Sequence, residues 1–224
     1  MSTSSGPRWD YRGVGIDDDE LPESPWPLFA DWVELVMASV GVEPALHEPL
    51  AMAVATVDEQ GVPDVREVLL RFLDPAGPGF VTSEHSAKVR QARAAGVIAA
   101  SLTWTPLFRA VRFRGVPQDI ERSRAEEYWH NRPWGAKIAA LASQQSSPAA
   151  SRDDLQAAFD SAAQKWPEGS EVPVPDDWAA LRVHPFSVEF WVGRPDRLHD
   201  RIRYLRDEPG DLDATGWRHE RLQP

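Results

Sequence analysis

Arg197, His199, Arg201 and Arg203 alternate within the segment Glu189 to Tyr204. Extended backbone points successive side chains to opposite faces. Three guanidinium groups and an imidazole therefore share one face, with Leu198, Ile202 and Tyr204 on the other. Guanidinium groups bind phosphate and carboxylate through paired hydrogen bonds. The row stands in a chain of formal net charge −11, so it is locally distinct. Such cations on a rigid strand suit a phosphorylated or otherwise anionic ligand. The same pattern also describes the solvated face of an edge strand, where charge discourages edge-to-edge pairing.

Further polar clusters lie upstream. Tyr128 and Arg132 are four apart on a predicted helix and so share a face. They could hold a phosphate together, or be a half-buried phenol beside a surface cation. Arg66 and Arg71 lie on one predicted strand and project to opposite faces if that strand is regular. Thr82 and Ser83 end the next strand. Lys88 falls in the first turn of a helix with Ser86 as N-cap. Free helix amides plus a Lys make an anion site; a solvated Lys is the plainer alternative. The polar run Ser143 to Ser147 reads as a loop. There is no phosphate-binding Gly-x-x-x-x-Gly-Lys loop, no dinucleotide Gly-x-Gly-x-x-Gly and no His-Glu-x-x-His. The six His are scattered without metal-ligand spacing.

The elements that must position these groups are legible in outline. Ser24-Pro25 opens a helix with Leu28, Phe29, Trp32, Leu35 and Val36 as its apolar stripe and Gly41 as its stop. Strands are predicted over 51–57, 65–73, 80–83, 97–104 and 108–118, and again over 181–183, 188–192, 199–205 and 216–222. Helices are predicted over 86–95, 123–132, 135–143 and 151–166, the last with Ser151 as N-cap. A Pro-rich linker covers 167–175. Strands, then helices, then strands give one α+β domain over 25–224. Residues 1–24 read as a flexible N-terminal arm, rich in Ser and Gly and carrying Asp17-Asp18-Asp19-Glu20. A length of 224 residues and 42% hydrophobic content permit a proper core. The absence of Cys excludes disulfides and thiolate chemistry and is compatible with a cytoplasmic location. An acidic chain is a poor partner for nucleic acid, and no apolar stretch reaches membrane-spanning length.

Glu-Phe-Trp at 189–191, Arg-Leu-His-Asp-Arg at 197–201 and the terminal Arg-Leu-Gln-Pro resemble the pyridoxine/pyridoxamine 5′-phosphate oxidase family, and the resemblance runs from about Arg8 to Pro224. It implies an antiparallel split β-barrel with peripheral helices that binds FMN and forms a homodimer, with the flavin at the interface. For FMN it implies the strand Arg66, Glu67, Val68, Leu69, Leu70 and Arg71, then Val81, Thr82, Lys88, Gln145, Ser146, Trp191 and Arg201. For a phosphorylated pyridine substrate it implies Arg71, Tyr128, Arg132, Arg197 and His199, with Arg197 and His199 as the catalytic pair. Arg8 and Tyr11 match a pair that can fold over the substrate as a lid. The implied activity is oxidation of pyridoxine or pyridoxamine 5′-phosphate to pyridoxal 5′-phosphate, with O2 reduced to H2O2.

Departures from the family pattern bear on the substrate. Arg71 stands where Lys is common, Ala87 where Arg is common, Ala110 where a Gln often meets the flavin ring, and Ala136 where a Ser helps hold the substrate phosphate. Two further readings follow. One is a sibling flavin oxidase acting on a dihydrophenazine-type intermediate. The other is a non-catalytic protein that binds flavin or pyridoxal phosphate.

Overall fold

The computed structural model describes residues 10–43 and 45–224. Among them, β1 (Ala51–Val57), β2 (Pro63–Leu69), β3 (Gly79–Ser83), β4 (Ile98–Trp104), β5 (Arg109–Asp119), β6 (Trp178–Val192), β7 (Asp200–Leu205) and β8 (Arg218–Arg221) form one antiparallel sheet. Its order is β2-β1-β4-β5-β6-β7-β8, and β3 pairs separately with β6. Five helices surround it: α1 (Pro25–Ala38), α2 (Ala87–Ala95), α3 (Arg122–His130), α4 (Trp134–Ala142) and α5 (Arg152–Lys165). This is the expected α+β split barrel.

Strand β6 is the common member of both halves. Its first part pairs with β3, from Ser83↔Trp178 to Gly79↔Arg182, and its second part with β7. Two separate strands, over 181–183 and 188–192, were expected here. The structure has one strand, because Pro185 faces the bulge at Arg114/Gly115 of β5, where a missing ladder donor is tolerated. A Cβ on Gly115 would lie 2.1 Å from the His184 carbonyl oxygen, so only glycine admits this close approach.

Helix α1 plugs the barrel. Its Phe29 ring meets Phe113 at 4.9 Å, and Trp32 meets Phe190 at 5.2 Å, both edge-on. The buried stripe is Phe29, Trp32, Val33 and Val36. Leu35, expected in it, is exposed, since Val33 completes the i, i+3, i+4, i+7 set instead. A second core lies where α3, α4 and α5 cover the first part of β6. There Trp129 donates to the Val172 carbonyl at 3.1 Å and Trp178 to the Ala125 carbonyl at 2.9 Å. Residues 10–24 of the expected arm run along the ends of β6 and β7, with the Gly13 amide bonded to the Gly193 carbonyl at 3.0 Å.

Candidate active site

Two structures within the chain carry the expected site residues. The first is a cleft of about 580 Å³ among β2, β3, α2, α3 and the loop after α4. Arg66, Glu67, Val68, Leu69, Arg71, Val81, Lys88, Tyr128, Arg132, Gln145 and Ser146 line it. Arg66 and Arg71 were expected on opposite faces. They line the same cleft because β2 ends at Leu69 and the chain turns, with the Arg71 amide bonded to the Gly79 carbonyl at 2.8 Å. Leu70 sends its side chain into the core, at 2% exposure.

Lys88 is buried at 6% exposure, on the first turn of α2. Its Nζ donates to Thr82 Oγ1 at 3.2 Å and to Gln145 Oε1 at 3.0 Å. Burial, and then the nearby Arg66 charge, push its pKa down to about 8. Ser86 was expected to cap α2 with its side chain, yet it makes no such bond and its hydroxyl meets Thr82 Oγ1 at 3.1 Å. Ser146 acts instead, its hydroxyl accepting from the Ala87 amide at 3.1 Å. Ser146 holds φ at 72°, a left-handed conformation that costs a non-glycine residue energy and clusters at functional positions.

At the other end of the cleft, the Arg71 guanidinium lies 5.8 Å from the Tyr128 ring centroid. Arg132 lies 5.1 Å from the Trp178 ring, and its buried Nε has no partner. Burial, with Arg71 adding repulsion, lowers the Arg132 pKa. Among the described residues, none of Arg71, Lys88 and Arg132 forms an ion pair with a carboxylate, although Glu67 shares the wall. A cation set desolvated without counter-charge favours an anionic ligand. The chemistry of this donor set fits a phosphate-bearing group.

Arg66 was expected as a direct ligand, and three residues not singled out from the sequence hold it. Its Nη1 donates to Thr56 Oγ1 at 2.6 Å, and its Nη2 to Asp64 Oδ2 at 2.6 Å and Gln91 Oε1 at 2.8 Å. Asp64 and Arg66 alternate on one strand face, a signal that could have been read. Gln91, on α2, offers no comparable signal.

The second structure holds Trp191, Arg197, His199, Arg201 and Tyr11. His199 Nδ1 accepts from the Arg194 amide at 3.1 Å, so a neutral ring carries its proton on Nε2. Burial and then the Arg197 charge lower its pKa, with Asp200 opposing. The ring lies 4.9 Å from Trp191 and 5.2 Å from Tyr11, and the Arg197 guanidinium lies 5.2 Å from the Tyr11 centroid. Arg201 is already engaged, donating to Glu189 Oε1 at 2.8 Å and the Gln223 carbonyl at 3.0 Å. Burial raises the Glu189 pKa, but Arg201 and Arg112 outweigh it and hold the carboxyl below its ordinary range. Arg8 lies outside the described residues.

The opening alternation holds only in part. Strand β7 begins at Asp200, and Arg197 sits in a 3₁₀ turn at φ 65° after Asp196 at φ 55°. Leu198, expected inside, is 71% exposed for that reason. Ile202 and Tyr204 are buried as expected.

Within one chain the two clusters stay apart. Thr82 pairs with Ala179 near the start of β6, whereas Trp191 pairs with Ala110 near its end. Twelve residues of strand separate them, a path of roughly 40 Å at ~3.3 Å per residue.

Fold and cleft define a split-barrel protein with a cation-lined pocket, and comparison with known proteins gives its family. Residues 42–191 match the family described as pyridoxamine 5′-phosphate oxidase, and residues 178–224 match the pyridoxine 5′-phosphate oxidase C-terminal dimerisation region. A pyridoxine/pyridoxamine 5′-phosphate oxidase of Streptomyces avermitilis is 38% identical over 97% of this chain and 94% of its own. One from Shewanella amazonensis is 39% identical over the full length of both. Among solved structures, PhzG from Burkholderia lata 383, in complex with tetrahydrophenazine-1-carboxylic acid, has a TM-score of 0.81 at 28% identity, covering 95% of this chain and 99% of that one. The chain belongs to the pyridoxine/pyridoxamine 5′-phosphate oxidase family of flavin oxidases. The dimerisation-region match supports a homodimer.

Proposed function

We propose that the protein is an FMN-dependent oxidase that converts pyridoxine or pyridoxamine 5′-phosphate to pyridoxal 5′-phosphate while O2 is reduced to H2O2. The observation that carries this reading is the cleft with Lys88 at one end and the Arg71, Tyr128, Arg132 group at the other, where among the described residues Lys88, Arg71 and Arg132 have no carboxylate partner. A phosphorylated cofactor and a phosphorylated substrate each need one such position.

Arg66, Lys88, Gln145 and Ser146 would hold the FMN phosphate, with 67–71 and Val81-Thr82 beside the rest of the cofactor. When bound, the flavin supplies a hydride acceptor that O2 restores. Tyr128, Arg132 and Arg71 fix the substrate phosphate. Oxidation removes a hydride from the C4′ carbon and a proton from its alcohol or amine, and the amine then releases ammonia on hydrolysis. Arg197 and His199 orient and polarise the substrate ring. A neutral His199 can present Nε2–H as a donor, and its lowered pKa favours that form at neutral pH. Trp191 and Arg201 lie in the same cluster, distant from the cleft along β6. A second copy of the chain would complete each site, which places the flavin at the subunit interface. A chain without Cys fits a cytoplasmic location. Arg197→Ala should abolish turnover while leaving FMN binding intact, and normal turnover in that variant would remove Arg197 from the assignment.

A second reading has a specific observation behind it. Ala136 lies on the cleft wall beside Tyr128 and Arg132 and offers no hydroxyl to a phosphate. Similarity to PhzG, solved with tetrahydrophenazine-1-carboxylic acid, points the same way, toward a reduced phenazine substrate such as a dihydrophenazine. Faster turnover of an unphosphorylated dihydrophenazine carboxylate than of pyridoxine 5′-phosphate would decide for it.

A further inference from the structure

The cluster around His199 is secured by contacts that the proposed chemistry does not use. A Cβ on Gly13 would lie 2.5 Å from Val192 Cγ1, and one on Gly193 would lie 2.6 Å from Tyr11 Cδ1. The two backbones therefore approach as only glycines permit. Arg221, near the end of β8, then ties this segment down. Its Nε and Nη2 donate to the Asp18 carboxylate at 3.0 and 2.6 Å, Nη2 to the Ile16 carbonyl at 2.8 Å, and Nη1 to Asp200 Oδ1 at 2.6 Å. Asp200 Oδ2 accepts from the Ile16 amide at 3.3 Å. Arg194, 3.6 Å from the same carboxylate, donates to the Gly13 carbonyl at 2.9 Å.

The product of these bonds is the seating of Tyr11. Its ring is wedged edge-on among Phe108, Trp191 and His199, at 5.5, 5.9 and 5.2 Å, with Arg197 against it. Arg197 and Asp196 both hold left-handed backbone angles, which persist only where surroundings impose them. A lone exposed ion pair contributes little. Here one guanidinium spends all three nitrogens on two carboxylates and a carbonyl, a geometry that fixes position as well as charge.

We propose that Asp18, Asp200 and Arg221 are positioning residues: they latch residues 10–18 onto the barrel, so that Tyr11 holds Arg197 and His199 in working geometry. What the half-site does rests on the function proposed above, but the latch is testable without it. The test is limited trypsin digestion of the full-length protein, following cleavage of the Arg12–Gly13 bond by mass spectrometry. Arg221→Gln and Asp18→Ala should each speed that cleavage at least tenfold, leaving other cut sites and the melting temperature nearly unchanged. The double variant should be no faster than the faster single one, because both remove one interaction, and Arg221→Lys should be intermediate. In turnover, KM for pyridoxine 5′-phosphate should rise several-fold with FMN binding unaltered. Wild-type cleavage rates in both single variants would overturn the latch. Faster cleavage with unchanged KM and kcat would overturn the positioning role. A wild-type enzyme inactive on pyridoxine 5′-phosphate would instead overturn the functional reading and leave the cleavage result standing.

Discussion

Replacing Lys88 by Met should weaken cofactor binding while leaving the stability of the flavin-free protein nearly unchanged. In the free protein the Lys88 pKa is depressed from 10.5 to about 8, so the folded chain holds that proton less tightly than the unfolded chain. At neutral pH this costs on the order of 3 kcal/mol. The cost is full below about pH 8 and fades as pH rises toward 10.5. Hydrogen bonds to Thr82 and Gln145 offset it by about 1–2 kcal/mol each. The near cancellation predicts that flavin-free Lys88→Met melts within a few degrees of wild type. The lost charge-assisted contact to the cofactor phosphate is worth about 1.5–3 kcal/mol, or roughly a 10- to 150-fold rise in the FMN Kd. Fluorescence-quenching titration with FMN and thermal melts of the flavin-free protein measure the two effects. In wild type, FMN affinity should also fall by up to roughly tenfold per pH unit above about pH 8, as the free Lys88 loses its proton; Lys88→Arg should flatten that profile. A variant that melts much lower yet binds FMN normally would make Lys88 a structural residue and not a cofactor ligand.

Other outcomes follow from the same geometry. Arg132→Met removes a half-buried guanidinium whose buried Nε lacks a partner, so the melting temperature should hold or rise; steady-state kinetics should show KM for the phosphorylated substrate up by roughly 10- to 100-fold. Gln91→Ala strips partners from Arg66 and Thr56 and should cost about 1–2 kcal/mol in urea unfolding, with FMN affinity lowered several-fold. Gly193→Ala places a methyl against Tyr11 and should expose the Arg12–Gly13 bond to trypsin while the barrel stays folded. Phe29→Ala, in the plug of the barrel, should destabilise by about 3–5 kcal/mol on chemical denaturation.

Much of the element order was legible because local patterns carried it. Period-two alternation located β1 and β4 within a residue, and the Ser151 cap located α5, where its hydroxyl accepts from the Asp154 amide at 3.0 Å. Tyr128 and Arg132 do share the cleft, but not through helical spacing, since α3 ends at His130 and Arg132 lies in the bend beyond it. What failed locally was decided by distant contacts. Strands 181–183 and 188–192 are one strand, because the bulge at Gly115 accommodates Pro185 between them. The 197–203 alternation breaks because two left-handed residues turn the chain before β7. Arg66 and Arg71 converge because β2 stops at Leu69, which periodicity does not announce. Barrel closure and the separation of the two clusters along β6 depend on pairing across the chain, and no window of sequence contains that information.

Whether the flavin oxidises pyridoxine 5′-phosphate is shown by mixing the FMN-loaded protein with that substrate without oxygen and following the flavin absorbance. An oxidase of this substrate bleaches and recovers when air is admitted, with pyridoxal 5′-phosphate and H2O2 formed in equal amounts. A flavin that stays yellow with pyridoxine and pyridoxamine 5′-phosphates alike, and bleaches with an unphosphorylated dihydrophenazine carboxylate or with nothing offered, would contradict that activity.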